Sequence, residues 1–167
     1  MVSFLLSVVT PEAIFIDEVV DLVVLPGYDG ELGIQGMHEP AVVTLIPGEL
    51  RYSKGKESHS CFISNGYAEV EKNFVVVVTN AAEWPEEIDV ERARRGLNRA
   101  RERLKDPNAT EQELVIARHA VRRQQKRLDV VRRAQLQHPE IYRSRKGQGI
   151  SRIPKLWQLD DQQPIPC

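Results

Sequence analysis

The chain has 167 residues, 41% hydrophobic and 28% charged, with a formal net charge of −1 at pH 7. That length accommodates one modest core with an appendage, or two small domains. Cys61 and Cys167 lie far apart without metal-ligand spacing around either, which excludes a zinc centre or a dense disulfide framework and reads as unpaired thiols of a reducing compartment, a single bridge being the alternative.

The apolar N-terminal stretch carries no basic region and runs into Thr10-Pro11-Glu12, so neither a secretory signal nor a membrane span is expected, and a cytoplasmic-side protein follows. Residues 4–9, 14–25, 41–46, 49–53, 59–64, 67–70 and 74–79 read as successive strands of an all-β sandwich or barrel. Between Leu25 and Arg51, glycines, prolines and acids recur too closely for a helix, and Pro47-Gly48 turns into Glu49-Leu50-Arg51. Asn65-Gly66 and Lys72-Asn73 supply further turns. The run from Phe74 to Val78 is apolar throughout, the pattern of a strand covered on both faces.

Near Trp84-Pro85 both composition and period change. Residues 1–84 hold four Lys/Arg against twelve Asp/Glu, and residues 85–167 hold nineteen against twelve, giving −8 and +7. Such a split suggests different partners for the two halves, or a basic half that folds onto something acidic. Ala93, Leu97, Ala100 and Leu104 form a helical stripe interrupted by Gly96, which costs about 1 kcal/mol relative to Ala. After Lys105-Asp106-Pro107, the Thr110-to-Glu113 spacing is that of a capping box opening a second helix. Leu114, Ala117, Val121, Leu128 and Val131, with Gln124 among them, give its seam, so residues 85–134 read as an antiparallel two-helix hairpin. Residues 135–167, broken by His138-Pro139, Gly147, Gly149 and three further prolines, read as an extended tail with Leu156-Trp157 as its one anchor. The sequon at Asn108-Ala109-Thr110 is discarded for want of an export signal.

Three blocks in order resemble one family. Asp29-Gly30-Glu31-Leu32-Gly33-Ile34 with His38, Pro40 and the Pro47–Arg51 run, then residues 62–70 with Asn73, then Ile88-Asp89-Val90-Glu91-Arg92-Ala93, are similar to the epsilon subunit of the F-type ATP synthase over residues 3–133. Two turns depart from its pattern, with Gly36-Met37 where the family has Pro-Gly, and Asn65 where glycine is frequent. The resemblance implies an α+β architecture: a sandwich of about ten strands followed by the hairpin and an irregular tail. It further implies a non-catalytic rotor subunit at the cytoplasmic face of a bacterial plasma membrane. Such a subunit binds the gamma subunit, rests on the c-ring, couples ion-driven rotation to ATP synthesis, and restrains hydrolysis when its hairpin extends toward the catalytic alpha/beta head.

By the same resemblance Asp29, Glu31 and His38 belong to the gamma and c-ring surface, where carboxylates facing basic loops would fix register. For His38 a structural hydrogen bond is favoured over proton transfer. Some family members bind regulatory ATP, and Asp89, Arg92 and Ala93, with Arg99, Arg123 and Arg127, occupy the corresponding positions. Arg92 and Arg99 share one helical face, as do Arg123 and Arg127, so the four are expected to clamp a triphosphate. No obligatory cofactor is expected. No nucleophile turn or zinc spacing is present, and no paired acids share a predicted face of the sandwich beyond the turn at Asp29 and Glu31, so an enzyme is not expected. The alternative is an arginine-rich nucleic-acid-binding protein, against which stand an acidic sandwich and a hairpin without aromatic interleaving.

Overall fold

The computed structural model describes residues 2–140. Ten strands, β1 (Phe4–Val9), β2 (Ile14–Val20), β3 (Leu22–Gly27), β4 (Gly30–Gln35), β5 (Ala41–Leu45), β6 (Gly48–Lys54), β7 (Glu57–Ile63), β8 (Gly66–Val70), β9 (Phe74–Thr79) and β10 (Ala82–Glu83), precede helices α1 (Val90–Lys105) and α2 (Glu111–Gln137). Hydrogen bonding runs β10-β7-β6-β3-β5-β8-β9-β1-β2, with β4 on β3. Since β3 meets β5 only through Gly27 and Leu45, the sheet turns there into two layers, β10-β7-β6-β3-β4 and β5-β8-β9-β1-β2. Alternate residues of both layers, among them Leu6, Val8, Leu25, Leu50, Val70 and Val77, interdigitate in one core. Cys61 lies within it as a free thiol, its pKa pushed up by burial.

The stretch at residues 14–25 forms two strands, not one. Asp21 breaks it where the chain crosses between layers: its carboxylate accepts from Ser3 Oγ at 2.6 Å and Gly55 N at 2.7 Å. Those bonds hold its pKa below the ordinary value. Strand β4 escaped the sequence reading because only Ile34 of its six residues is buried. Strand β9 also differs from expectation: Val75, Val77 and Thr79 are buried while Phe74, Val76 and Val78 face outward and are only partly covered. Strand ends buried on both faces are those of β7, at Cys61, Phe62 and Ile63, and of β3, at Leu25, Pro26 and Gly27.

Phe62 points away from the sandwich core and is covered by the helical hairpin, packing with Ile88, Val130 and Val131 in a second apolar cluster. Helix α1 is capped by Asp89, which accepts from Arg92 N, and α2 opens with the expected capping box between Thr110 and Glu113. Seam residue Ala117 is buried as expected; Leu114, Val121 and Leu128 are half-buried. Gly96 lets the helices approach, since a Cβ there would lie 3.1 Å from the Gln124 amide nitrogen. Helix α2 continues to Gln137, three residues past the expected limit. The sequence features at Leu156, Trp157 and Cys167 lie outside the described residues.

The turn after β4 accounts for one departure from the family pattern. A Cβ on Gly36 would come within 2.1 Å of the Val2 carbonyl oxygen, so a proline there would clash. Met37 takes the left-handed conformation, φ 68°, that suits a glycine. Asn65 is not at positive φ and carries no such strain. Met37→Gly should therefore raise stability to urea unfolding by about 0.5–1 kcal/mol. A variant no more stable than the parent would show that Met37 is not strained.

Candidate functional site

Four features are candidates for function. The first is the acidic turn between β3 and β4. Asp29 is exposed at its tip. Glu31 is not a free carboxylate: Arg51 of β6 reaches across β3 and donates to it twice, Nη2 to Oε2 at 2.7 Å and Nη1 to Oε1 at 3.0 Å. That guanidinium holds the Glu31 carboxyl below the ordinary range, with Arg133 and Lys126 adding weaker attraction. His38 is not brought to this turn. It follows the opposite end of β4, since Gly30 pairs with Gly27 while Gln35 pairs with Leu22. Its Nδ1 lies 2.7 Å from the Glu39 carbonyl oxygen, the geometry of a local structural hydrogen bond.

The second feature is a cleft of about 420 Å³ where the start of α1 and the middle of α2 meet β10; Asp89, Arg92, Ala93, Gln124, Arg127 and Glu83 contribute to its walls. Its volume is within the range of small-ligand sites. Of the six residues expected to bind nucleotide, four line it. Arg99 lines a separate groove beside Ala100, Arg103 and Ile116, and half-buried Arg123 lines neither. Seven residues carry Arg99 two turns down α1, about 10 Å, so a shared face does not amount to a shared site. Arg127 is also committed: Nε and Nη2 donate to Glu83 Oε1 at 2.8 and 2.6 Å, and the guanidinium carbon stands 4.5 Å from the Phe62 ring centroid.

The third feature joins the other end of α2 to the sheet. Glu49 Oε2 accepts from Arg133 of α2 and from Arg51 Nη1 at 3.3 Å. The side chain of Glu49 is only 9% exposed. Among the described residues, no donor reaches its other oxygen, Oε1. A cavity of about 410 Å³ opens beside it between α2 and the turns at Gly27 and Pro47.

The fourth is the outer face of the β5-β8-β9-β1-β2 layer. The register places Leu5 beside Phe74 and Val19, and Tyr67 beside Val78. Val42 is 76% exposed and Tyr67 48%. Leu5, Val19, Phe74 and Met37 add further exposed apolar surface, more contiguous than solitary surface hydrophobics. Sequence reasoning missed this face because an all-apolar β9 looked doubly covered. It also missed Glu83, Glu49, Phe62 and Arg133 as a docking set, because their pairing depends on strand register and on where α2 crosses it. Among the described residues, no three or more His, Cys, Asp or Glu are grouped to hold a metal ion.

Comparison with known proteins agrees with this architecture. The beta-sandwich domain of the ATP synthase delta/epsilon chain matches residues 3–85. The ATP synthase epsilon chain of Carboxydothermus hydrogenoformans is 52% identical over 99 residues, covering 59% of this chain and 74% of that protein. The epsilon chain of Caldicellulosiruptor saccharolyticus is 42% identical over 104 residues, covering 62% and 76%. Among solved structures, a chain of the Euglena gracilis mitochondrial ATP synthase OSCP/F1/c-ring assembly superposes with a TM-score of 0.67 at 25% identity, over 79% of this chain and 81% of that one. A chain of the Tetrahymena thermophila mitochondrial ATP synthase central stalk and c-ring gives 0.53 at 12% identity, over 77% and 96%, a likeness of fold.

The Arg127–Glu83 contact yields a direct test. Arg127→Ala strips a part-buried carboxylate of its partner and the Phe62 ring of its cation, and should cost about 1.5–3 kcal/mol in equilibrium unfolding. Arg127→Lys keeps the charge without the paired donors and should cost less. Equal losses for both would mean that the fork geometry contributes nothing.

Proposed function

The chain belongs to the ATP synthase delta/epsilon family, and from that premise we propose that it is a non-catalytic rotor subunit of an F-type ATP synthase central stalk. It couples ion-driven turning of the c-ring to ATP synthesis and restrains hydrolysis through its hairpin. The observation that carries this reading is the exposed, largely apolar face formed by Leu5, Val19, Val42, Tyr67 and Phe74, in which Glu69 beside Val42 and Asp17 are the charged groups. A sandwich that leaves such a face to water needs a permanent partner, and the gamma subunit is the partner we assign to it. The acidic turn at Asp29 and Glu31 is assigned to the polar loops of the c-ring. His38, at the far end of β4, is assigned to the gamma side. Contact with the membrane is then indirect, and no helix among the described residues is long and apolar enough to cross one. The location that fits is the cytoplasmic face of a bacterial plasma membrane.

The hairpin supports the inhibitory part of the reading. Among the described residues it meets the outer sheet face through a small cluster in which Ile88, Val130 and Val131, with Val90 beside them, cover Phe62, edged by ion pairs. A contact of that size suits two positions of similar free energy, one docked and one extended toward the catalytic alpha/beta head. A regulatory nucleotide is the proposed effector. Asp89 holds the helix start, while Arg92 and Arg127 would take the phosphates, Arg127 by leaving Glu83; Arg99 and Arg123 would join only after side chains and helices shift. The acidic sandwich disfavours the nucleic-acid alternative, because it would repel a polyanion.

Three measurements test these proposals. Val42→Asp with Tyr67→Asp should weaken binding to the gamma subunit about 30-fold or more, whereas unchanged affinity would move the shaft contact elsewhere. ATPase activity of the catalytic head should fall with the full chain but not with a version ending at Pro85 and carrying Phe62→Gln to keep the uncovered sheet soluble. Equal activity with both would remove the inhibitory role. Calorimetric titration with ATP should give a binding heat that Arg92→Ala or Arg127→Ala abolishes; no heat with the parent chain would remove the nucleotide site.

A further inference from the structure

Arg51 stands between two carboxylates and cannot serve both fully. Both of its terminal nitrogens face Glu31, at 2.7 and 3.0 Å, and only Nη1 reaches Glu49, at 3.3 Å. Glu49 is left with one oxygen, Oε2, shared by Arg51 and Arg133, and another, Oε1, that is buried and receives no donor from the described residues. A buried acceptor without a partner is destabilising. The arrangement therefore stores a preference that Glu31 blocks: released from Glu31, the planar guanidinium can turn and take both oxygens of Glu49. Oε2 already accepts from both guanidinium groups, so Arg133, half exposed on α2, would keep that acceptor but share Glu49 with an Arg51 whose charge Glu31 no longer offsets, and its hold would weaken.

We propose that Arg51 is a positioning residue that couples the acidic turn to the docking of α2. A cationic partner group that takes Glu31 frees Arg51 for Glu49, and Arg133, now facing an Arg51 that Glu31 no longer neutralises, holds the C-terminal end of the hairpin less firmly. The coupling is reciprocal. When the hairpin leaves and Arg133 departs, Glu49 draws Arg51 away, and the Glu31 carboxylate, freed of its guanidinium, is open to a basic loop. Grip on the partner at the turn and release of the hairpin thus favour one another. This rests on the reading that the turn meets basic loops and that the hairpin leaves the sandwich, but the coupling itself resides in this chain alone.

Amide hydrogen exchange of residues 126–134 in the full-length protein reads it out. Glu31→Gln, with Glu31→Ala as a second variant, should speed exchange there about fivefold. Arg51→Gln should not speed it, because Glu49 then serves Arg133 only, and on the Arg51→Gln background Glu31→Gln should have no further effect. Unchanged exchange in both Glu31 variants would overturn the proposal. So would an equal effect of Glu31→Gln with and without Arg51, which would mean that Glu31 attracts Arg133 and Lys126 directly. Failure of inhibition or of shaft binding in the assembled complex would instead count against the rotor reading and leave these exchange rates as they are.

Discussion

The contact between α2 and the outer face of β6 and β7 governs how the two halves of this chain relate. Phe62, Ile88, Val130 and Val131 are its apolar centre, and full burial of one such side chain is worth about 1.5–3 kcal/mol before the entropy of ordering the hairpin is subtracted. The flanking pairs Arg127–Glu83 and Arg133–Glu49 keep part of their surface in water. Such pairs add direction more than energy. The hairpin is consequently held in one place by a small apolar centre and directional flanking pairs, which is the feature the proposed second position relies on.

The same economy explains the contrast between the two sheet layers. One outer face is covered by this chain's own helix; the other, with Val42, Tyr67 and Phe74, is not. Both are too apolar to be at ease in water. The covered face is edged with titratable and hydrogen-bonding groups such as Glu49 and Glu83, whereas the uncovered one presents mostly aliphatic and aromatic side chains, with Asp17 and Glu69 among them.

Much of the fold was legible in the residues. The short β-rich runs located β1 and β9 to the residue, and the Thr110-to-Glu113 spacing marked the start of α2. What escaped had weak local signals. Strand β4 buries one side chain, β10 has two residues, and the break at Asp21 depends on a carboxylate reaching Ser3 and Gly55, neither of them near in sequence. The seam of α2 was read as one stripe, yet the helix packs against α1 and against the sandwich. Val130 and Ala134, outside the expected seam, are buried as a result.

The candidate site was less legible, for a related reason. Helical spacing says which arginines share a face; it does not say which acids will meet them. Arg127 and Arg133 both lie on α2, and each is claimed by a glutamate at least 44 positions away. A list of arginines at the right intervals therefore overstates what is available to bind phosphate. Glu83 holds Nε and Nη2 of Arg127, so a nucleotide that drew on those two donors would work against a contact that anchors the docked hairpin. For binding to stabilise that docked form, new bonds from phosphate to both helices would have to exceed the loss of the Glu83 pair. The opposing signs make this chain's response to nucleotide a property of Glu83 as much as of its arginines.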